Sequence, residues 1–269
     1  LESVNHNENN RYSILFAFPG ENIVLKNFSD FDFLKELQDK SESTTLNSDL
    51  PFIGGWFVYL SYELIGQIEP SLATKLHKSK LPIAYAVQIP SAIIVDHKLD
   101  KTFIIDQDDN QSRINSILSD IELVSKLPTQ RIKGIQSEEV ENKFINGVKS
   151  SLDYIISGDV FQVNLSRKWQ YELTETTDSV LIYNALKKAN PAPFSALIQY
   201  ENFSIISSSP ERLFSVHDRV LETRPIAGTH PRGKGDLDKA QKDNLINHPK
   251  EIAEHVMLLD LERNDMGRV

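Results

Sequence analysis

Residues 194–223 hold four β-prone runs with almost nothing between them: Phe194–Tyr200, Phe203–Ser207, Leu213–Val216 and Val220–Thr223. Polar pairs at Glu201-Asn202 and His217-Asp218 separate the partners. A parallel pair needs a crossover of a dozen or more residues, so runs this close can only pair antiparallel. This spacing excludes a doubly wound parallel sheet for the region. It points to an α+β fold in which antiparallel sheets, packed as a sandwich, carry helices on their outer faces.

The rest of the chain agrees. Residues 1–10 are polar and Asn-rich, as in a frayed end. Ile14–Phe18 reads as a strand, and Asp30–Lys40 as a helix with Phe31, Leu34 and Leu37 on one face. After a polar loop at Ser41–Asp49, Gly54–Tyr62 reads as a buried strand. Strands come next at Ala84–Ile89, Ala92–Asp96 and Thr102–Asp106, the last two flanking a polar turn, and then a helix at Gln111–Lys126. Leu127–Gln136, with Pro128 and Gly134, marks a boundary between regions 1–130 and 137–269. Ser137 can cap a helix whose first turn holds Glu138 and Glu139. Val140, Phe144, Val148, Leu152 and Ile156 give that helix one apolar stripe, and Gly158 ends it. Phe161, Val163 and Leu165 alternate with polar residues, as in a strand with one wet face. A further helix spans Asp178–Lys188 and stops at Asn190-Pro191.

Composition narrows the function. The 269 residues are 40% hydrophobic and 25% charged, ordinary for a globular protein. A net charge of −9, without a basic stripe, argues against nucleic-acid binding. The longest apolar run, Phe52–Leu60, is too short to span a bilayer, so no membrane role is expected. With no cysteine there is no disulfide, thiolate metal site or cysteine nucleophile, which fits a reducing, cytoplasmic setting.

Three segments near the end can carry chemistry. In Ser207-Ser-Ser-Pro-Glu-Arg-Leu-Phe214, Glu211 lies between apolar flanks. A carboxyl there, if partly desolvated, would serve as a general acid; otherwise Glu211-Arg212 is a surface turn. In Arg224-Pro-Ile-Ala-Gly-Thr-His-Pro-Arg-Gly233, glycine lets backbone amides approach a carboxylate or phosphate, and Thr229 adds a hydroxyl. The alternative is a loop with turn glycines. The third segment is a helix opened by Pro249, whose run Val256-Met-Leu-Leu259 is apolar all round and is expected to be buried. Glu254 on such a helix needs a cation: Mg²⁺, or an ion pair with Arg263 or Arg268.

Taken in this order, the segments resemble the chorismate-binding enzymes. The resemblance covers Glu138 to the end and also takes in Pro51-Phe-Ile-Gly-Gly-Trp56 and Leu60-Ser-Tyr-Glu-Leu64. Phe161-Gln-Val-Asn-Leu-Ser166, Asn190-Pro-Ala-Pro-Phe-Ser-Ala196 and Tyr62–Pro70 are similar to the aminodeoxychorismate branch. Ala227 is similar to the anthranilate branch, since many aminodeoxychorismate synthases place lysine there. The resemblance implies that Glu211 protonates the departing C4 hydroxyl of chorismate, and that Ala227, Gly228 and Thr229 bind the substrate. It also implies that Glu254 holds Mg²⁺. A methyl group carries no lone pair, so Ala227 excludes a covalent lysine adduct and leaves direct attack by ammonia.

The resemblance further implies a glutamine amidotransferase partner that supplies the ammonia. The product would be 4-amino-4-deoxychorismate, for 4-aminobenzoate and folate synthesis, with anthranilate as the alternative product. A noncatalytic binding or regulatory fragment is the third possibility. Some members of the family bind tryptophan near the N-terminal sheet. Arg11-Tyr-Ser13 and Pro193-Phe194 resemble parts of that pocket, without the Leu-Leu-Glu/Asp-Ser element that precedes them elsewhere. Members of the family continue past the Asn264-Asp265 segment with further substrate and magnesium residues. The expectation is therefore a chain truncated at both ends and inactive by itself.

Overall fold

The computed structural model describes residues 1–4, 11–41, 48–75, 80–127, 132–174 and 177–269. Residues 5–10 of the expected frayed end, 42–47 of the expected loop and 128–131 of the expected boundary lie outside the described residues. The fold is α+β with antiparallel sheets, as the strand spacing requires.

The chain forms two compact units. One comprises 1–125, 190–196 and 207–269; the other comprises 126–189 and 197–206. The division near residue 126 lies close to the expected boundary, but the latter part of the chain is shared between the units rather than forming one of its own.

In the first unit, β1 (Tyr12–Ala17) pairs with β5 (Ser91–Asp96), and β5 with β6 (Lys101–Asp106). A second sheet sets β4 (Ala84–Ile89) between β2 (Asn22–Leu25) and β3 (Gly55–Leu60). Pro90 alone separates β4 from β5, so the chain passes directly from one sheet to the other at a residue that cannot donate to either ladder. The Phe16 ring of β1 meets the Phe57 ring of β3 with centroids 5.8 Å apart.

Helix α1 (Phe33–Lys40) begins where the Asp32 side chain accepts from the Lys35 N–H at 3.1 Å. The expected face is displaced: Phe33 is the fully buried residue, with Phe31 and Leu37 packed around it and Leu34 exposed. The cap at Asp32 sets the helix phase, which the apolar spacing alone leaves free. The strand expected over Gly54–Tyr62 is shorter and only half-buried, with Val58 and Leu60 open. It leads through a 3₁₀ turn (Tyr62–Leu64) into the short α2 (Ile65–Ile68). Ile23, Leu25, Phe33, Leu64, Ala84 and Ala86 form the core.

Helix α3 (Gln111–Glu122) packs on β6 and is capped by Asn110, whose side chain accepts from the Ser112 and Arg113 N–H groups. It ends four residues before the expected Lys126.

In the second unit, the expected cap at Ser137 is replaced by a strand, β7 (Gly134–Glu138), paired with β8 (Trp169–Leu173). That pairing gives 134–138 backbone partners that a helical start would deny them. Helix α4 (Glu141–Ser157) therefore begins later, and Glu138 accepts instead from the Trp169 indole N–H at 2.8 Å. Gly158 ends α4 with φ 79°, as its sequence position predicted. The apolar stripe of α4 lies largely open: Val140 is 73% exposed, and Leu152 and Ile156 are also exposed. The strand expected at 161–165 does not form, and Phe161 is 83% exposed. Alternation proposes a strand, but pairing makes one, and no described strand pairs with these residues. Helix α5 (Ser179–Ala189) stops at Asn190-Pro191 as expected.

The expected strand pairs are both present: β9 (Phe194–Tyr200) with β10 (Phe203–Ser209), and β11 (Ser215–His217) with β12 (Val220–Glu222). Helices α6 (Asp236–Asn247) and α7 (Pro249–Met266) close the chain. Pro249 is the first helical residue of α7, where a missing N–H costs nothing. The expected burial of α7 is not observed: it has no buried residue, and Val256 is 59% exposed. An all-round apolar run shows that a helix can be covered; among the described residues nothing encloses this one. Among the described residues no helix is long and apolar enough to cross a membrane.

Candidate active site

The three segments singled out by sequence meet within the first unit. Pro210 ends β10, and a serine turn fixes the backbone of Glu211. The Ser209 hydroxyl accepts from the Glu211 N–H at 3.2 Å and donates to the Glu211 carbonyl at 2.8 Å. The Asn190 carbonyl accepts from the Ser208 hydroxyl at 2.6 Å, which ties the Asn-Pro segment to the same strand end. Thr223 closes the other side by donating its hydroxyl to the Leu213 carbonyl at 3.1 Å.

Glu211 is exposed, so of the two readings the surface turn is the one that forms. Pro210 directs its carboxylate across the turn, where Oε1 accepts from the Ile226 backbone N–H at 2.7 Å. The flanking hydrophobics do not enclose it; Leu213 and Phe214 are themselves exposed. Glu211 thus holds the start of the Ile226–Thr229 loop with one oxygen.

Residues 223–233 have no helix or strand. Ala227 and Gly228 are half-buried, and Thr229 lies beside them. Gly228 does make a close backbone approach, and the carboxylate it approaches is one of the protein's own. A Cβ built at Gly228 would lie 1.4 Å from Glu251 Oε2. Glu251 stands in the first turn of α7, where the helix dipole favours a negative charge. Its Oε2 is buried with no hydrogen-bond partner, one of three such side-chain atoms among the described residues.

Glu254 is half-buried, three residues on along α7, and so shares a face with Glu251. The expected partner Arg263 is nine residues further along the same helix, a rise of about 13 Å that its side chain cannot recross. Two carboxylates thus share one face, one of them with an orphaned buried oxygen; among the described residues no third acid or histidine joins them, so a hard divalent cation here would need water or substrate at its other positions. The sequence singled out Glu254 and not Glu251, although the i, i+3 spacing of the two acids is visible in it.

A second cavity, of about 300 Å³, is lined by Leu1, Ser3, Arg11, Tyr12, Pro193 and Phe194, among others. One wall is Leu1-Glu2-Ser3. Glu2 bridges to Ser195, and the Val4 N–H donates to the Ala192 carbonyl at 3.1 Å. The Ser3 Oγ is buried without a partner.

The sequence and the fold have known counterparts. The chain matches the chorismate binding enzyme family over residues 3–269, and it belongs to that family. It is 32% identical to anthranilate synthase component 1 of Lactococcus lactis, over 100% of this chain and 64% of that protein. It is 36% identical to aminodeoxychorismate synthase component 1 of Bacillus subtilis, over 86% of this chain and 52% of that protein. The crystal structure of anthranilate synthase component I from Streptococcus pneumoniae superposes with a TM-score of 0.81 at 27% identity, covering 100% of this chain and 63% of that one. The chain thus spans about half to two thirds of the length of these relatives.

Proposed function

We infer that this chain belongs to a component I enzyme that aminates chorismate with ammonia, forming 4-amino-4-deoxychorismate for 4-aminobenzoate and folate synthesis. One observation carries the reading: Glu211, the Ala227–Thr229 loop and the Glu251–Glu254 face converge in one unit.

The chain's residues divide the work. Gly228 and Thr229 border the substrate, and Ala227 keeps the loop free of a competing nucleophile. Glu211 is tethered by Oε1 to the Ile226 N–H, so Oε2 is the oxygen that would carry the proton to the departing C4 hydroxyl. Glu251 and Glu254 would hold Mg²⁺. When bound, Mg²⁺ would supply positive charge for the chorismate carboxylate and draw electrons from the ring as the hydroxyl leaves. Ammonia would come from a glutamine amidotransferase partner; the component 1 names of the relatives support a second component.

Ala227 favours a second reading, anthranilate formation. Products separate the two. Chorismate, Mg²⁺ and ammonium are supplied to a polypeptide that adds to this chain the part of its relatives it does not span. Product that becomes 4-aminobenzoate only when a lyase is added supports the first reading, and anthranilate formed directly supports the second. Failure of that polypeptide to bind chorismate in the presence of Mg²⁺ would overturn both. The cavity beside Leu1–Ser3 supports an added regulatory role, since some members of the family bind tryptophan near this sheet.

A further inference from the structure

A loop without regular structure must find partners for its backbone N–H groups one at a time. Residues 223–233 use two carboxylates for this. At one end the Ile226 N–H donates to Glu211. At the other, the Gly233 N–H donates to Asp238 Oδ1 at 3.0 Å. Asp238 is itself fixed: Arg232 Nε and Nη2 reach its two oxygens at 2.6 Å each, a bidentate pair of the strong kind. The Arg232 guanidinium and the Gly233 amide hold its carboxyl down to about 2, so it stays ionised near neutral pH.

Two further contacts press the loop onto α6. A Cβ at Gly233 would lie 2.8 Å from the Asp238 nitrogen and 2.9 Å from the Leu237 carbonyl carbon, so the backbone rests directly on the first turn of the helix. Between the two ends, His230 Nδ1 lies 3.4 Å from Gln241 Oε1, one turn beyond Asp238. Helix α6 therefore meets the loop through Asp238, Leu237 and Gln241, and all of these residues belong to one unit.

We propose that Asp238 is a positioning residue for the chorismate loop, clamping its far end as Glu211 holds its near end, so that residues 226–229 are ordered before the substrate arrives. The proposal rests on residues 226–229 being the chorismate loop. Its physical basis is preorganisation: a loop ordered in advance does not spend binding free energy on its own ordering.

The test uses the polypeptide that adds the part of the relatives this chain does not span, with Asp238→Ala, Asp238→Asn and Arg232→Gln. Two quantities are read: amide hydrogen exchange along 224–235, and chorismate affinity with Mg²⁺ present. Asp238→Ala should speed exchange at Gly233 and its neighbours about tenfold and weaken chorismate binding by a similar factor, because a charge-assisted hydrogen bond is lost. Exchange in the β1–β6 sheets should not change. Asp238→Asn keeps an oxygen for Gly233 and should fall between wild type and alanine, as should Arg232→Gln, which leaves the Gly233 bond in place. A folded Asp238→Ala with unchanged loop exchange or unchanged affinity overturns the proposal. So does faster exchange throughout the unit, which would mark a general structural role. If Asp238→Ala does not fold, the same criteria apply to Asp238→Asn. Should the unaltered polypeptide bind no chorismate, the functional reading fails, while the exchange measurements still decide whether Asp238 holds the loop.

Discussion

Gly228 and Glu251 occupy space that admits no side chain between them: a Cβ on Gly228 would lie 1.4 Å from Glu251 Oε2. The loop after β12 and the first turn of α7 are therefore in direct contact, and the contact ends at a buried carboxylate oxygen without a hydrogen-bond partner.

Gly228→Ala should destabilise the first unit by about 1–3 kcal/mol, the usual cost of forcing a methyl into filled space. Adding Glu251→Ala should recover most of that loss, because it removes the clashing atoms. Thermal melting of the two single variants and the double variant gives the coupling. Additive losses would show that the two residues do not meet.

Glu251→Gln and Glu254→Gln should each weaken Mg²⁺ binding, measured by calorimetry with chorismate present, by at least about tenfold, since a hard cation prefers an ionised oxygen. The readout is binding rather than turnover. Unchanged affinity in both variants would remove this face from consideration as the metal site.

Glu211→Gln and Glu211→Ala should part company. Glutamine retains an oxygen for the Ile226 N–H, so the loop should keep its protection from amide exchange while ammonia-dependent turnover falls about 10²–10⁴-fold in the polypeptide that includes the remaining part of the relatives. Alanine should lose both. Near-normal turnover in Glu211→Gln would exclude a proton-donating role.

The N-terminal sheet should be acid-sensitive through Asp96. Hydrogen bonding to Arg11, aided by the Lys98 and Leu99 amides, lowers its carboxyl from 3.8 to about 2. A carboxylate depressed in the folded state contributes stability above its unfolded value and loses it as pH falls through the folded one. Melting temperature should therefore drop between about pH 4 and pH 2, and Asp96→Asn should flatten that part of the curve. Asp106, held lower still by Arg113 and Ser91, extends the loss to more acid pH.

Tryptophan should raise the melting temperature if the cavity at Leu1–Ser3 is the pocket found in some members of the family. Replacing Phe194 with a charged residue should abolish the rise. A tryptophan response that survives this change would place the binding elsewhere.

Much of the site is legible in the sequence. Glu211, Ala227, Gly228, Thr229 and Glu254 lie in segments whose order is unusual enough to identify together, though each alone reads as a turn, a loop or an ion pair. Glu251 is legible only as an acid three residues before Glu254; its contact with Gly228, 23 residues away, is not. Leu1-Glu2-Ser3 escapes notice for the same reason: three residues at a chain end gain meaning only through the bridge to Ser195. The errors of the fold reading have a common source. Periodicity reports which face of a segment could be buried. It carries no information on whether another surface arrives, and at Phe161, Val140 and Val256 none of the described residues does.

Local chemistry determined much of this protein through sequence alone. Two-residue turns forced antiparallel pairing, Pro249 began a helix, and Gly158 ended one, because each acts through its own backbone or its nearest neighbours. The tertiary structure decided what depends on distant residues meeting. It settled Glu211 as an exposed acid that holds a loop, and it used Gly228 for contact with a helix. Packing and hydrogen bonding depend on which atoms come within a few ångströms, and sequence spacing does not specify that.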